Sequence, residues 1–287
     1  MILVTGANGH FGSLTIDFLL KGGIDASQIS ALVRSEEKAQ ALKVKGINII
    51  LGDYNDYTSL VKAFSGIDKL LFVSGTDLLN RTSQHRSIVK AAKEASVKHV
   101  IYTSGAFKTV TAESPLWLFA EAHIKTEQWL KESGLTHTLL KNGLYMDYLP
   151  YFIGNVLETG MIYLPAGDGK ISMALRSEMA EATATVLSTE GHKNKTYDFV
   201  GTEAYGYEDI ARYISETTKN TISYISPTEV EFRDSLKKVG QNIPEEFLGI
   251  ILAQAQGDAD IQSGDLEKLI GRPLTPITSF LQEIYKV

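Results

Sequence analysis

The chain has 287 residues, 44% of them hydrophobic and 22% charged, with a formal net charge of −6. That length and mixture suit one large globular domain or two modest ones. No long basic run offers a nucleic-acid groove, and the absence of cysteine excludes disulfides, thiol nucleophiles and thiolate metal sites.

A cysteine-free chain fits the cytoplasm. The opening run MILV is strand-like rather than a secretory signal, and no apolar stretch approaches the roughly 20 residues that span a bilayer. Neither export nor membrane insertion is expected.

Taken in chain order, short apolar runs alternate with helical patterns. Strands are predicted at Ile2–Val4, Ile29–Val33, Ile47–Leu51, Lys69–Val73, Val97–Thr103 and Thr136–Lys141. Helices are predicted at Ser13–Lys21, Ser35–Lys45, Tyr57–Phe64, Thr82–Ala95 and His123–Ser133. This alternation predicts an α/β fold, a doubly wound parallel (Rossmann) sheet with its ligand crevice at the carboxyl ends of the strands. The second half is less regular. Asn142–Gly160 is rich in aromatics, Arg176–Ser188 and Tyr207–Thr217 read as helices, and Thr196–Val200 reads as a short strand. Further helical patterns lie near Thr228–Val239, Pro244–Ala255 and Ser263–Ile270. Residues 1–150 are expected to form the dinucleotide-binding domain. Residues 151–287 are expected to be mostly a smaller α/β substrate lobe, with some segments returning to the sheet.

The first strand runs into TGANGHFG, with glycines at 6, 9 and 12. Between a strand and a helix, such glycines permit a tight turn, a close backbone approach to a pyrophosphate, and close packing of the helix on the sheet. The helix N-terminus then offers free N–H groups to the phosphates. The spacing is GxxGxxG rather than GxGxxG, so its position after a strand carries the argument. An acidic residue at the end of the second strand would indicate NAD. Here the strand ISALV ends in Arg34, Ser35 is a candidate helix cap, and Lys38 sits one turn on. A guanidinium there clamps a 2′-phosphate, with Lys38 adding charge; the alternative is a solvated pairing with Glu36 or Glu37. NADPH is the cofactor favoured. Asp53 and Tyr54 are placed to flank the adenine. Ser74, Gly75 and Thr76 are placed near the ribose and phosphates, and Thr103, Ser104 and Gly105 near the nicotinamide.

Beyond these positions, TGANGHFG, LVRSEEK, LGDYND, LLFVSG, IYTSGAF, HIKTE and LLKNGLY occur in an order that resembles the NmrA-like, atypical short-chain dehydrogenase/reductases, and among them the quinone oxidoreductase 2 type. The likeness continues through AGDGKI, RSEMAEA, EGHKNKTYDFVG and KLIGRP, and so covers nearly the whole chain. Triphenylmethane dye reductases look very similar across the same motifs. The resemblance implies two-electron reduction of a small quinone by hydride from NADPH, with Gly6, Ala7, Asn8, Gly9, His10, Phe11 and Arg34 meeting the cofactor.

Typical members of the wider superfamily carry a YxxxK pair. The corresponding stretch here is Phe119-Ala120-Glu121-Ala122-His123. Phe119 cannot donate a proton. That suits a quinone, whose hydroquinone anion is stabilised by the ring, better than a ketone, whose alkoxide needs a positioned acid. Candidate catalytic groups are His123, expected to begin a helix, then Asn142 and Tyr145; the proton donor stays open among water, His123 and Tyr145. His123, Asn142 and Gly143 are also placed against the cofactor. Trp117, Phe119, Tyr145, Tyr148, Tyr151 and Phe152 offer walls for a flat ring or ordinary packing. Gly167-Asp168-Gly169-Lys170 is either a hinged loop over the site or a plain turn.

No histidine pair has metal-ligand spacing, and HExxH, GxSxG and Walker A motifs are missing, so no metal is expected. Without a flavin signature, hydride passes directly from NADPH. The alternatives are an NADP(H)-binding redox sensor without turnover, or a triphenylmethane or azo dye reductase. A homodimer is a default expectation only.

Overall fold

The structure is a computed structural model and describes residues 1–286. Its main sheet contains β1 (Ile2–Val4), β2 (Ile29–Val33), β3 (Asn48–Leu51), β4 (Lys69–Phe72), β5 (His99–Gly105), β6 (His137–Asn142) and β8 (Thr196–Phe199). A separate ribbon pairs β7 (Met161–Tyr163) with β9 (Ser223–Ile225). The sheet order is β3-β2-β1-β4-β5-β6-β8, and all neighbours are parallel. This is the doubly wound order, with its switch point between β1 and β4.

The central strands explain the apolar runs. Every residue of β1, β2 and β5 is buried, as a parallel sheet covered by helices on both faces requires. β3 lies at the edge and leaves Asn48 and Leu51 exposed. Residues beyond 150 also belong to this layer: β8 extends the sheet beside β6, and the helix Arg176–Ser188 packs against the helix His10–Lys21. The remaining lobe closes around its own core, which includes Met146, Leu149, Ile162, Ile210, Leu248 and Leu281. No helix among the described residues is long and apolar enough to cross a membrane.

Several boundaries differ from expectation. The first helix starts at His10 rather than Ser13, with Gly9 at its cap. Ser35–Lys45 is a single 3₁₀ turn, Glu37–Ala39, followed by a five-residue helix, Gln40–Val44, and Glu36 rather than Ser35 holds the cap position. The helix predicted from His123 begins at Trp117. Its first turn carries Trp117, Leu118 and Phe119, a continuous run of large apolar side chains that masks the helical period. β7, β9 and the helices Leu149–Ile153, Val156–Thr159 and Ile277–Ile284 were not predicted; most are too short to show a period.

The glycine loop shows what spacing alone does not. Gly6 has φ +59°, a conformation that favours glycine. A Cβ on Gly12 would lie 2.5 Å from the Gly6 carbonyl oxygen, so the helix is seated directly on the loop backbone. Gly12→Ala is therefore expected to destabilise the chain by about 1–3 kcal/mol, because the obstruction is backbone and must move. A lowered urea midpoint with an unchanged slope checks this.

Candidate active site

Two joined clefts open at the carboxyl ends of the strands. The first, about 380 Å³, is lined by Gly6, Ala7, Asn8, Gly9, Arg34, Lys38, Asp53, Tyr54, Ser74, Gly75 and Thr76. The second, about 470 Å³, is lined by Thr103, Ser104, Gly105, His123, Asn142, Gly143 and Tyr145, among others. Val73–Thr76 borders both, at the end of β4. Of the predicted cofactor and catalytic positions only His10 and Phe11 line neither cleft. His10 opens the helix with its side chain exposed, and Phe11 is buried against the Tyr145 ring, 6.3 Å between centroids. Their contribution is through the backbone: the N–H groups of His10, Phe11 and Gly12 have no carbonyl partner.

The first cleft keeps its cations free. Glu36 is taken by Lys43 at 2.7 Å, and neither Arg34 nor Lys38 forms an ion pair among the described residues. The solvated pairing of Arg34 with Glu36 or Glu37 is not what the structure holds. A dinucleotide fits here on three observations: the three free N–H groups, the unspent Arg34 and Lys38, and a buried acceptor on Asn142 described below.

Several predicted hydroxyls are already spent. The Tyr54 hydroxyl lies 2.7 Å from Thr5 Oγ1 and 2.9 Å from the Val73 carbonyl oxygen. Burial pushes its ionisation well above the ordinary phenol range. Thr103 Oγ1 accepts the Ser74 N–H at 2.9 Å, and Ser104 Oγ donates to Glu127 at 2.6 Å. These three hydroxyls are engaged in shaping the strand ends, and the Tyr54 ring is left to face a ligand.

His123 sits well inside its helix, 3% exposed. Its hydrogen-bond network assigns its proton. The Gly75 N–H donates to His85 Nε2 at 3.0 Å, so His85 carries its hydrogen on Nδ1 and donates it to Thr126 Oγ1 at 2.9 Å. Thr126 passes its own hydrogen to the Ala122 carbonyl. The Tyr102 hydroxyl, 2.9 Å from His123 Nδ1, is then the donor to that nitrogen. His123 is thereby a neutral imidazole with its N–H on Nε2, which has no protein acceptor among the described residues. Burial, then the nearby Arg81 and His85, hold its ionisation well below the usual histidine range. The expected imidazolium acid near neutral pH is replaced by a neutral donor.

Asn142 ends β6. Its Nδ2 donates to the Tyr145 hydroxyl at 3.2 Å, while Oδ1 is buried without a partner. Whichever way the amide is turned, one polar atom remains for a ligand. Arg176 stacks over both the Tyr145 and Tyr148 rings, which fixes that wall. Phe119, Tyr145, Tyr148 and Phe152 line the second cleft, whereas Trp117 does not and Tyr151 is 82% exposed. The Gly167–Lys170 segment is not a hinge: a Cβ on Gly169 would collide with the Gln254 backbone, so the turn is locked against the helix Glu245–Ala255. Arg81, Phe107, Phe247 and Gln254 also line the cleft and were not predicted. Phe107 ends the IYTSGAF stretch; the other three lie in stretches without a motif, and only the packing of the lobe brings Phe247 and Gln254 to the strand ends. No group of three potential metal ligands occurs among the described residues.

The NmrA-like family model matches residues 1–277. The chain belongs to the NmrA-like family. It is 36% identical to quinone oxidoreductase 2 of Escherichia coli, over 100% of this chain and 99% of that one. The crystal structure of the NADPH-dependent quinone oxidoreductase from Escherichia coli complexed with NADPH superposes with a TM-score of 0.91 at 37% identity, covering 100% of both chains. The Citrobacter triphenylmethane reductase complexed with NADP(H) gives 0.88 at 38% identity, covering 99% of this chain and 100% of that one. This NmrA-like chain thus shares its whole length with both.

Its buried histidines make stability depend on pH. His85 is held down to about 3 by burial and then by Arg81, and His99 to about 4 by burial and then by Lys69. Together with His123 they stay neutral when folded, but ionise near 6.5 once the chain unfolds. The unfolded chain therefore binds more protons below that pH. Stability should be full above it and fall as pH drops from about 6.5 toward 4, by up to about 1.4 kcal/mol per pH unit for each histidine. Urea midpoints between pH 8 and about pH 5 check this, with a flat profile below neutrality contradicting it.

Proposed function

We propose that the chain reduces quinones with NADPH, by direct hydride transfer and without a flavin. The observation that carries this is the junction at Val73–Thr76: a cleft with free cations and helix N–H groups runs straight into an aromatic-walled cavity. The cofactor and substrate named for the Escherichia coli relative support the same reading. When bound, NADPH supplies the hydride.

The residues divide the remaining work. The N–H groups of His10, Phe11 and Gly12 hold the pyrophosphate, and Arg34 with Lys38 holds the 2′-phosphate. Asn142 meets the carboxamide, since its free oxygen needs a donor and a quinone offers none. Tyr145 and Phe119 confine a flat ring. His123 Nε2–H donates a hydrogen bond to a quinone oxygen, and water completes the protonation. No strong acid is required, because a hydroquinone anion is only weakly basic. Dye reduction is the second reading, favoured by the likeness to the Citrobacter enzyme and by the same aromatic walls. Placement in the cytoplasm belongs to the main reading and rests on the cysteine-free composition.

The test follows NADPH absorbance with purified protein and a small benzoquinone, with NADH in parallel. Rapid, NADPH-selective loss on quinone addition is expected. Binding of NADPH with no acceptor consumed, whether quinone or dye, would instead leave a cofactor sensor. Arg34→Ala should weaken NADPH binding by about tenfold or more and leave NADH binding nearly unchanged, since only the former carries a 2′-phosphate. Equal loss for both cofactors would remove Arg34 from that role.

A further inference from the structure

The wall of the second cavity contains a buried cation with no anion to match it. Arg81 opens the helix Arg81–Glu94 and is only 3% exposed. Among the described residues it makes no ion pair. One guanidinium nitrogen, Nη2, donates to the Phe119 backbone carbonyl, and Cζ lies 5.1 Å from the centre of the Phe119 ring. Its Nε is buried with no partner at all. The cavity's own carboxylates do not neutralise it. Glu246 and Asp258 also line the cavity, yet neither pairs with Arg81. Glu127 is occupied by Ser104, Lys131 and Lys141.

A buried charge is normally paired, and an unpaired one is costly to hold. The groups beside Arg81 cannot take that role. His85, His123 and Tyr102 are tied into the chain of neutral hydrogen bonds described above. The fold thus holds the Arg81 guanidinium in the lining of the aromatic cavity, with Arg176 behind the Tyr145 and Tyr148 rings, and the anion that matches Arg81 must come from a ligand.

We propose that Arg81 is a catalytic residue that stabilises the negative charge created on the acceptor, and that the cavity consequently prefers ligands carrying an oxyanion. The proposal rests on the quinone-reductase reading. The quinone accepts one hydride from NADPH, two electrons with one proton, and becomes the hydroquinone monoanion; NADP⁺ is the oxidised product. One proton from water then gives the neutral hydroquinone, with the His123 N–H only donating a hydrogen bond. The ground-state quinone is uncharged, so a fixed guanidinium gains most of its attraction as the anion forms. That is preferential stabilisation of the transition state, and it replaces the absent tyrosine–lysine pair. The same attraction acts in the ground state on a quinone that already carries an ionised hydroxyl.

The test compares equilibrium binding of two ligands to NADP⁺-saturated protein by calorimetry. One is a hydroxynaphthoquinone, an anion at neutral pH; the other is the neutral methylnaphthoquinone of similar size. Wild type should bind the anion about tenfold or more tightly than the neutral ligand, as expected for a desolvated charge pair. Arg81→Met should remove that preference and leave neutral-ligand binding within about twofold, and Arg81→Lys should restore most of it. With methylnaphthoquinone as substrate, Arg81→Met should lower kcat and leave KM nearly unchanged, the signature of an interaction made in the transition state. Equal affinities for the two ligands in wild type, or equal weakening of both in Arg81→Met, would overturn the proposal. If Arg81→Met does not fold, the wild-type comparison and Arg81→Lys still decide. Failure to turn over any quinone would sink the reductase reading and with it the catalytic role of Arg81, while the binding comparison judges the oxyanion preference separately.

Discussion

The helix that begins at His10 sits directly on the loop that ends β1, with backbone against backbone at Gly12 and Gly6. Everything else in the site depends on that close seat. It aims three unpaired N–H groups into the crevice where β1 and β4 part, at the switch point of the sheet. It also fixes Phe11 against Tyr145, so the phosphate end and the substrate end of the crevice share one rigid wall. On the outer face the same helix is held by Arg176–Ser188, a helix from the second half of the chain. The site is therefore assembled from both halves.

At the other end, polarity is controlled by burial rather than by ionisation. A single backbone donor, the Gly75 N–H, fixes the tautomer of His85, and through Thr126 and Tyr102 that of His123. Burial then keeps both rings neutral. The result is a cavity of aromatic faces, neutral donors, one orphaned amide oxygen and the single buried guanidinium of Arg81. Such a lining suits an acceptor that is itself flat and uncharged until the hydride arrives. It suits an alcohol or ketone less well, since these need a positioned acid–base pair.

Most of the fold was legible in the sequence because parallel strands covered on both faces must read as short apolar runs, and β1, β2, β4 and β5 do. The crevice was legible because strand ends converge, whatever the details of each loop; hence Arg34, Ser74 and Asn142 all line it. What was hidden follows from pairings distant in the chain. His123 could not be recognised as a mid-helix residue while Trp117–Phe119 looked like pocket wall. That the hydroxyls of Tyr54, Thr103 and Ser104 were already engaged depends on Thr5, Ser74 and Glu127 respectively, which no local pattern reveals. Arg81 and Gln254 were silent because a buried arginine or glutamine has no spacing rule. Their meaning emerges only in the assembled fold, which leaves Arg81 Nε and Gln254 Nε2 buried without partners.

The most direct measurement is the fate of a deuterium label. NADPH carrying deuterium at the transferable position is mixed with the protein, freed of any flavin, and with a benzoquinone in excess. Direct transfer predicts one hydroquinone per NADP⁺ formed, no transient semiquinone, and a primary isotope effect on single-turnover oxidation. Semiquinone formed in single-electron steps, an isotope-insensitive turnover, or a requirement for added flavin would contradict hydride transfer across the Val73–Thr76 junction.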